Sequence, residues 1–237
     1  MSTTEALPAA VLWDMDGTLV DTEPLWIASE HDLAAEHHAV WTEEDSLHLV
    51  GSDLRDGARY IRERIGGRMT IDEIVAYMGN RVASSLREHR EWRPGARELV
   101  EQFRDAGVPQ ALVTMSYHYI AEPVVEALGF EAVVTGDAVE RGKPHPEPYL
   151  RAAELLGVDP ARCLAVEDSR TGAASANAAG CFVVAVPHAV NVPEAPRRVV
   201  IPTLADLTAA DLAAIAGFGD RAPAWPPELD THRRDAQ

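Results

Sequence analysis

The chain is short of positive charge: 21 Lys and Arg face 38 Asp and Glu across 237 residues, a formal net charge of -17. A sequence-independent grip on a phosphate backbone needs a basic face or stripe, so nucleic acid is not an expected partner. The surplus acid reads instead as a solvated, solubilising surface. Long apolar runs are missing too. None approaches the roughly 20 residues that span a bilayer, and the opening MSTTEALPAA has neither a basic n-region nor an apolar h-region. No membrane association and a cytoplasmic location are therefore expected. Cysteine is scarce, with only Cys163 and Cys181, each beside a strand-like run. That placement predicts core packing in a reducing compartment rather than a disulfide. Internal repeats and low-complexity tracts are also absent.

What remains is a chain that is 46% hydrophobic, enough for a sizeable core. Short runs rich in Val, Leu and Ala recur as AAVLW, PQALVTM, AVVTGD, CLAVED and CFVVAV, each bounded by turn formers or acids. Such continuous runs suit strands buried on both faces. Between the later ones lie the helical stretches PGARELVEQFRDAG, YIAEPVVEALG, HPEPYLRAAELLG and TGAASANAAG. Several open with Pro and close with Gly, as helices do. The alternation predicts an α/β fold with a Rossmann-like parallel sheet covered by helices. Residues 22–93 interrupt it. They exceed the roughly thirty residues of a crossover unit and carry helical patterns in LWIASEHDLAAEHH, DLRDGARYIRERIG and IDEIVAYMGNRVASSLREH. The expected organisation is a discontinuous core, 1–21 and 94–218, with a small helical cap at 22–93 and a disordered tail at 219–237. One more helix is expected in DLTAADLAAIAG, and hinges near Thr22 and Arg93.

In an open parallel sheet, ligands bind outside the carboxyl ends of the strands. There the sequence places Asp14 and Asp16 after the first strand, Thr114 and Ser116 after the second, Lys143 in the loop after the third, and Glu167 and Asp168 at the end of the fourth. Singly, each has an ordinary alternative as a helix cap, a strand end or a loop charge. Together they suit phosphoryl transfer, which needs a nucleophile, neutralisation of phosphate charge, and a proton for the leaving group. Asp14 can attack phosphorus to give an aspartyl phosphate. A divalent cation would offset the repulsion between that anion and its substrate, and carboxylates with few dedicated ligands suit magnesium. Asp168 would complete the coordination, with Glu167 as a ligand or as an acceptor behind the ligands. Asp16, two residues on, shares a side of the extended chain with Asp14. Its acidic neighbour favours the protonated form, which suits a donor to the leaving oxygen. Gly17 lets the chain turn and expose N–H groups to phosphate. Thr114, Lys143, Ser116 and the Met15 segment of the same loop are the candidate phosphate binders.

These residues fall into four ordered motifs: DMDGT at 14–18, VT at 113–114, GKPHPEPY at 142–149 and EDSRTG at 167–172. In this the sequence resembles the haloacid dehalogenase superfamily of phosphotransferases, over about Val11 to Pro187. It is most similar to the branch of beta-phosphoglucomutase and the small sugar-phosphate phosphatases, where a helical cap lies between the first and second motifs. The resemblance implies Asp14 as nucleophile, Asp16 as acid/base, Thr114 and Lys143 as phosphate binders, and magnesium held by Asp14, Asp168 and the main-chain carbonyl of Asp16. The superfamily's haloalkanoate-cleaving members use one aspartate and no metal. Asp16 and the Glu167–Asp168 pair favour phosphate chemistry over dehalogenation.

The predicted activity is a magnesium-dependent phosphatase of a small phosphorylated metabolite, a sugar or polyol phosphate, working as a monomer. The alternative is a beta-phosphoglucomutase-like isomerase. In that mutase a histidine follows the first motif where this chain has Trp26, and a lysine and asparagine follow the second where it has Tyr117 and His118. Trp26 reads as a substrate-facing lid residue or as cap core. His118 is either a substrate contact or an exposed polar residue at a helix start. Arg55 is either a further contact or a solvated helix charge.

Overall fold

The computed structural model describes residues 7–49 and 53–218; the tail expected at 219–237 lies outside the described residues. Six parallel strands form one sheet in the order β3-β2-β1-β4-β5-β6. They are β1 (Ala10–Trp13), β2 (Gln110–Val113), β3 (Ala132–Val134), β4 (Cys163–Glu167), β5 (Phe182–Ala185) and β6 (Arg198–Val200). Five follow the apolar runs of the sequence. The sixth, RVV, is a three-residue edge strand with all its residues half-buried, and it carries no both-face apolar run to betray it.

Strand pleating divides the core in two. Val11 and Trp13 of β1 face one layer, against α5 (Ala96–Asp105), α6 (His118–Leu128) and α9 (Ala209–Ile215), with Leu99, Phe103, Val124 and Leu212 all buried. Ala10 and Leu12 face the other, against α7 (Glu147–Leu156) and α8 (Arg170–Ala178), whose contributions are small: Ala152, Ala153, Ala173 and Ala176. Period-two alternation explains the split, and alanines let the second layer lie close to the sheet. Cys163 and Cys181 are buried and unbridged in that same layer. No helix among the described residues is long and apolar enough to cross a membrane.

Between β1 and β2 run α1 (Glu23–Glu36), α2 (Glu43–Leu49), α3 (Leu54–Arg64) and α4 (Ile71–Glu88). Of these α2, EEDSLHL, has no apolar stripe and escapes sequence patterning. The helical insert has its own core of Leu33, Ala58, Ile61, Ile74 and Met78. A capping box starts α4, in which Thr70 and Glu73 satisfy each other's backbone N–H groups. The insert docks through α4 on α6. A side chain at Gly79 would collide with the Tyr119 hydroxyl, so glycine is what permits the close approach. The two connecting segments lie side by side: Val20 bridges Trp92 antiparallel, Asp21 N–H donates to the Glu91 carbonyl at 2.9 Å, and Arg93 N–H donates to the Leu19 carbonyl at 2.8 Å.

Candidate active site

The chain reverses at the centre of the sheet, where β1 is flanked by β2 and β4, and the acids of the sequence reading meet at the carboxyl ends of these strands. Asp14 follows β1 directly and is 6% exposed. Its Oδ1 accepts from Lys143 Nζ at 2.6 Å, while Oδ2 is buried with no hydrogen-bond partner. Lys143 Nζ also donates to Glu167 Oε1 at 2.6 Å and to the Val113 carbonyl at 2.8 Å. Its three donors are thus all engaged, bridging the ends of β1, β2 and β4.

Glu167 is fully buried. Its Oε1 also accepts from the Tyr149 hydroxyl at 2.7 Å and its Oε2 from Ser169 Oγ at 3.0 Å. With both oxygens engaged, it anchors Lys143. Asp14, Glu167 and Asp168 nevertheless offer carboxylate oxygens within 4.8 Å of one another. Three acids beside one lysine carry excess negative charge, and the titration behaviour reflects it. Burial, then Glu167, raises the Asp14 carboxyl to about 7 against the pull of Lys143. Burial, then Asp14 and Glu167, raises Asp168 to about 9. For Lys143 burial acts downward, but Asp14 and Glu167 together hold the ammonium well above its ordinary range.

Asp16 is held by hydroxyls. Thr22 Oγ1 donates to its Oδ1 at 2.7 Å, and Thr114 Oγ1 and Ser116 Oγ donate to its Oδ2 at 2.9 and 2.8 Å. The hydroxyls expected to face a phosphate therefore point at Asp16 in this structure. Gly17 makes the turn between the two acids with φ +81°, and a side chain there would run into the Asp168 carboxylate. Gly17→Ala is expected to cost about 1–2 kcal/mol from the left-handed backbone alone, and more from displacing Asp168. An unchanged melting temperature would show that the turn tolerates a side chain.

Above the acids lies a cavity of about 290 Å³ between the sheet edge and the insert. Asp14, Asp16, Lys143, Ser116 and Asp168 form its polar floor; Ile27, Leu54, Ile61, Ile74 and Met78 are among the apolar residues of its roof. Met15 is fully buried in the core, so only its main chain is available to a ligand. Trp26 lines the cavity, whereas Arg55 and His118 are not among its lining residues. Arg55 pairs with Asp72 at 2.7 Å over a separate surface hollow beside Tyr117, and His118 is exposed at the start of α6 with its N–H on Asp137. Residue type and position after a motif could not place these two, because their direction depends on how α3 and α6 pack.

Several participants carried no clear sequence signal. Tyr149 ends the third motif but reads as helix core until its hydroxyl is seen on Glu167. Thr22, expected only as a hinge position, precedes α1 without capping it through its side chain, which binds Asp16 instead. His188, in the loop after β5, lines the cavity and lies 3.2 Å from Asp21. Glu30 of α1 lines the roof as a buried acid.

Comparison with known proteins agrees with this geometry. Residues 8–180 match the family model described as haloacid dehalogenase-like hydrolase. Hexitol phosphatase B of Escherichia coli strain K12 is 34% identical over 90% of this chain and 99% of its own length. The phosphoglycolate phosphatase of Thiobacillus denitrificans is 30% identical over 83% and 92%. Among solved structures, CbbY from Rhodobacter sphaeroides in complex with phosphate superposes with a TM-score of 0.77 at 26% identity, covering 87% of this chain and 99% of that one. With that match across the sheet and its acids, the chain belongs to the haloacid dehalogenase-like hydrolases.

Proposed function

We propose that this phosphoric monoester hydrolase cleaves a small sugar or polyol phosphate through an aspartyl phosphate on Asp14. The observation that carries the reading is the Asp14 carboxylate itself. One oxygen is fixed by Lys143, and the other is unpartnered at the floor of a cavity large enough for a small metabolite. Asp14 Oδ2 attacks phosphorus and the bond to the leaving oxygen breaks. Asp16 supplies the proton to the departing alcohol and then takes one from the water that hydrolyses the acyl phosphate. Thr22, Thr114 and Ser116 fix the orientation of Asp16. Because Thr22 heads α1, that orientation depends on the docking of the insert, which serves as a cap excluding bulk water. Lys143 screens the charge of the phosphoryl group as it arrives.

The donor set fits magnesium: Asp14, Glu167 and Asp168 bring carboxylate oxygens within 4.8 Å of one another in an all-oxygen surrounding. Asp14 and Asp168 would hold the ion. When bound it supplies charge neutralisation between nucleophile and substrate.

Relatives named for hexitol phosphates and for phosphorylated carbohydrates support the substrate class. A panel of phosphorylated metabolites with magnesium tests it: orthophosphate release from hexitol or sugar phosphates is expected, and a panel in which none is cleaved would refute the reading. Interconversion of hexose 1- and 6-phosphates primed by a bisphosphate, without orthophosphate release, would instead identify a mutase.

Metal binding and pH should be coupled. In the metal-free protein Asp14 and Asp168 keep protons up to about 7 and about 9, against an ordinary 3.8, so between these values the folded state binds more protons than the unfolded. Stability then falls as pH rises through that window. The metal-free melting temperature is expected to decline from pH 5 to pH 9, with added magnesium stabilising most at the alkaline end. A stabilisation by magnesium that is the same at both ends would contradict the assignment of Asp14 and Asp168.

A further inference from the structure

The roof of the cavity holds one feature that phosphoryl transfer does not use. Glu30 is 5% exposed, lines the cavity, and leaves its Oε2 without a hydrogen-bond partner. A buried acid in this state is costly. Burial pushes its carboxyl up, with the Ser46 hydroxyl and the Trp41 indole offsetting part of the effect and Glu23 adding to it. Trp41 also donates to Ser46 at 2.9 Å, so the far side of Glu30 is braced by α2 and the segment before it. The side facing the cavity lies among apolar residues, including Leu49, Ile74 and Met78.

Its position along α1 is also informative. Glu23, Trp26, Ile27 and Glu30 all line the cavity, the i, i+3, i+4, i+7 stripe of one helix face. Thr22, just before that stripe, touches Asp16. Eight residues of helix put Glu30 about 12 Å further along the axis. A phosphate ester on a six-carbon chain, extended and ending in one hydrogen bond, covers a comparable length.

We propose that Glu30 is the specificity-determining residue of the cap, accepting a hydrogen bond from a hydroxyl of the substrate's far end while its carboxylate rejects substrates whose far end is anionic. This rests on the phosphatase reading above and narrows it: a neutral, polyhydroxylated chain is selected over a phosphorylated carboxylic acid. Trp26 and the aliphatic roof supply the surface for the chain's C–H edges, and Glu30 supplies the acceptor that distinguishes a hydroxyl from an apolar end.

The test compares sorbitol 6-phosphate with 6-phosphogluconate, a chain of the same length whose far end is a carboxylate, in the full-length enzyme with magnesium. In Glu30→Leu, kcat/KM for sorbitol 6-phosphate is expected to fall about 10- to 100-fold, the scale of one hydrogen bond to a charged group. The value for 6-phosphogluconate is expected to rise, as a like charge facing its far-end carboxylate has been removed. Glu30→Gln, which keeps an acceptor oxygen, should fall less on sorbitol 6-phosphate than Glu30→Leu. The melting temperature of Glu30→Leu should rise, since an unsatisfied buried acid has gone. Parallel losses on both substrates with a lowered melting temperature would make Glu30 a packing residue and overturn the proposal, as would an unchanged ratio between substrates. If the parent enzyme releases phosphate from 2-phosphoglycolate but from no polyol or sugar phosphate, the substrate reading falls and this inference with it. If the parent cleaves sorbitol 6-phosphate and the variant keeps its selectivity, the inference alone fails.

Discussion

Replacing Asp14 by Asn is expected to lower kcat by roughly 10⁴- to 10⁶-fold, the scale seen when a nucleophile is removed, while leaving the fold intact. The amide keeps the shape of the carboxylate but cannot form the acyl phosphate. The structure adds a second, opposite expectation for stability. Burial and Glu167 raise the Asp14 carboxyl to about 7, so the folded protein pays to hold Asp14 ionised above that pH. Asparagine carries no charge to desolvate, and Lys143 retains Glu167 as its partner. At pH 8 without metal, the melting temperature of Asp14→Asn should therefore equal or exceed that of the parent. Single-turnover assays and thermal melts on the same preparation read both effects. Turnover at the parent rate would remove Asp14 from the nucleophile's role. A collapsed melting temperature would show that Lys143 depends on Asp14 for its place.

Lys143→Met should damage both activity and stability. The ammonium is 5% exposed and bridges Asp14 and Glu167 at 2.6 Å each, with the Val113 carbonyl as its third acceptor. Methionine fills similar volume without charge, leaving a group of acids with no internal cation. Removing one partner of a buried pair typically costs about 3–5 kcal/mol, and loss of a preorganised charge at a reacting oxyanion about 10²- to 10³-fold in kcat. The stability loss should shrink as pH falls, because protons then neutralise the acids that Lys143 no longer compensates. A loss that is the same at pH 5 and pH 8 would mean that packing against Tyr149, rather than charge, explains the effect. The Lys143 ammonium lies over the Tyr149 ring, 5.3 Å from its centroid, and this is the contact that such a result would implicate.

Much of this was legible in the chain. Five of the six strands stand out because burial on both faces demands an unbroken apolar run, which neighbouring residues display together. β6 and α2 do not, because a half-buried edge strand and a seven-residue polar helix have no such run or stripe. The acids of the site could be assembled on paper, since each follows a strand and all strands of a parallel sheet end on one edge.

Side-chain direction was a different matter. Thr114 and Ser116 turn to Asp16, Glu167 has its oxygens engaged by Lys143, Tyr149 and Ser169, and Arg55 and His118 lie outside the cavity. Trp26, read as a substrate-facing lid residue or as cap core, lines the cavity. Glu30 shows the limit most plainly, since in sequence it is one more acid in a chain with 38. The order of elements and the chemistry at the strand ends came from the sequence by itself, because periodicity and motifs are properties of adjacent residues. The roof over those acids was decided only by tertiary structure, because it depends on which faces of α1, α3 and α4 meet across the cavity.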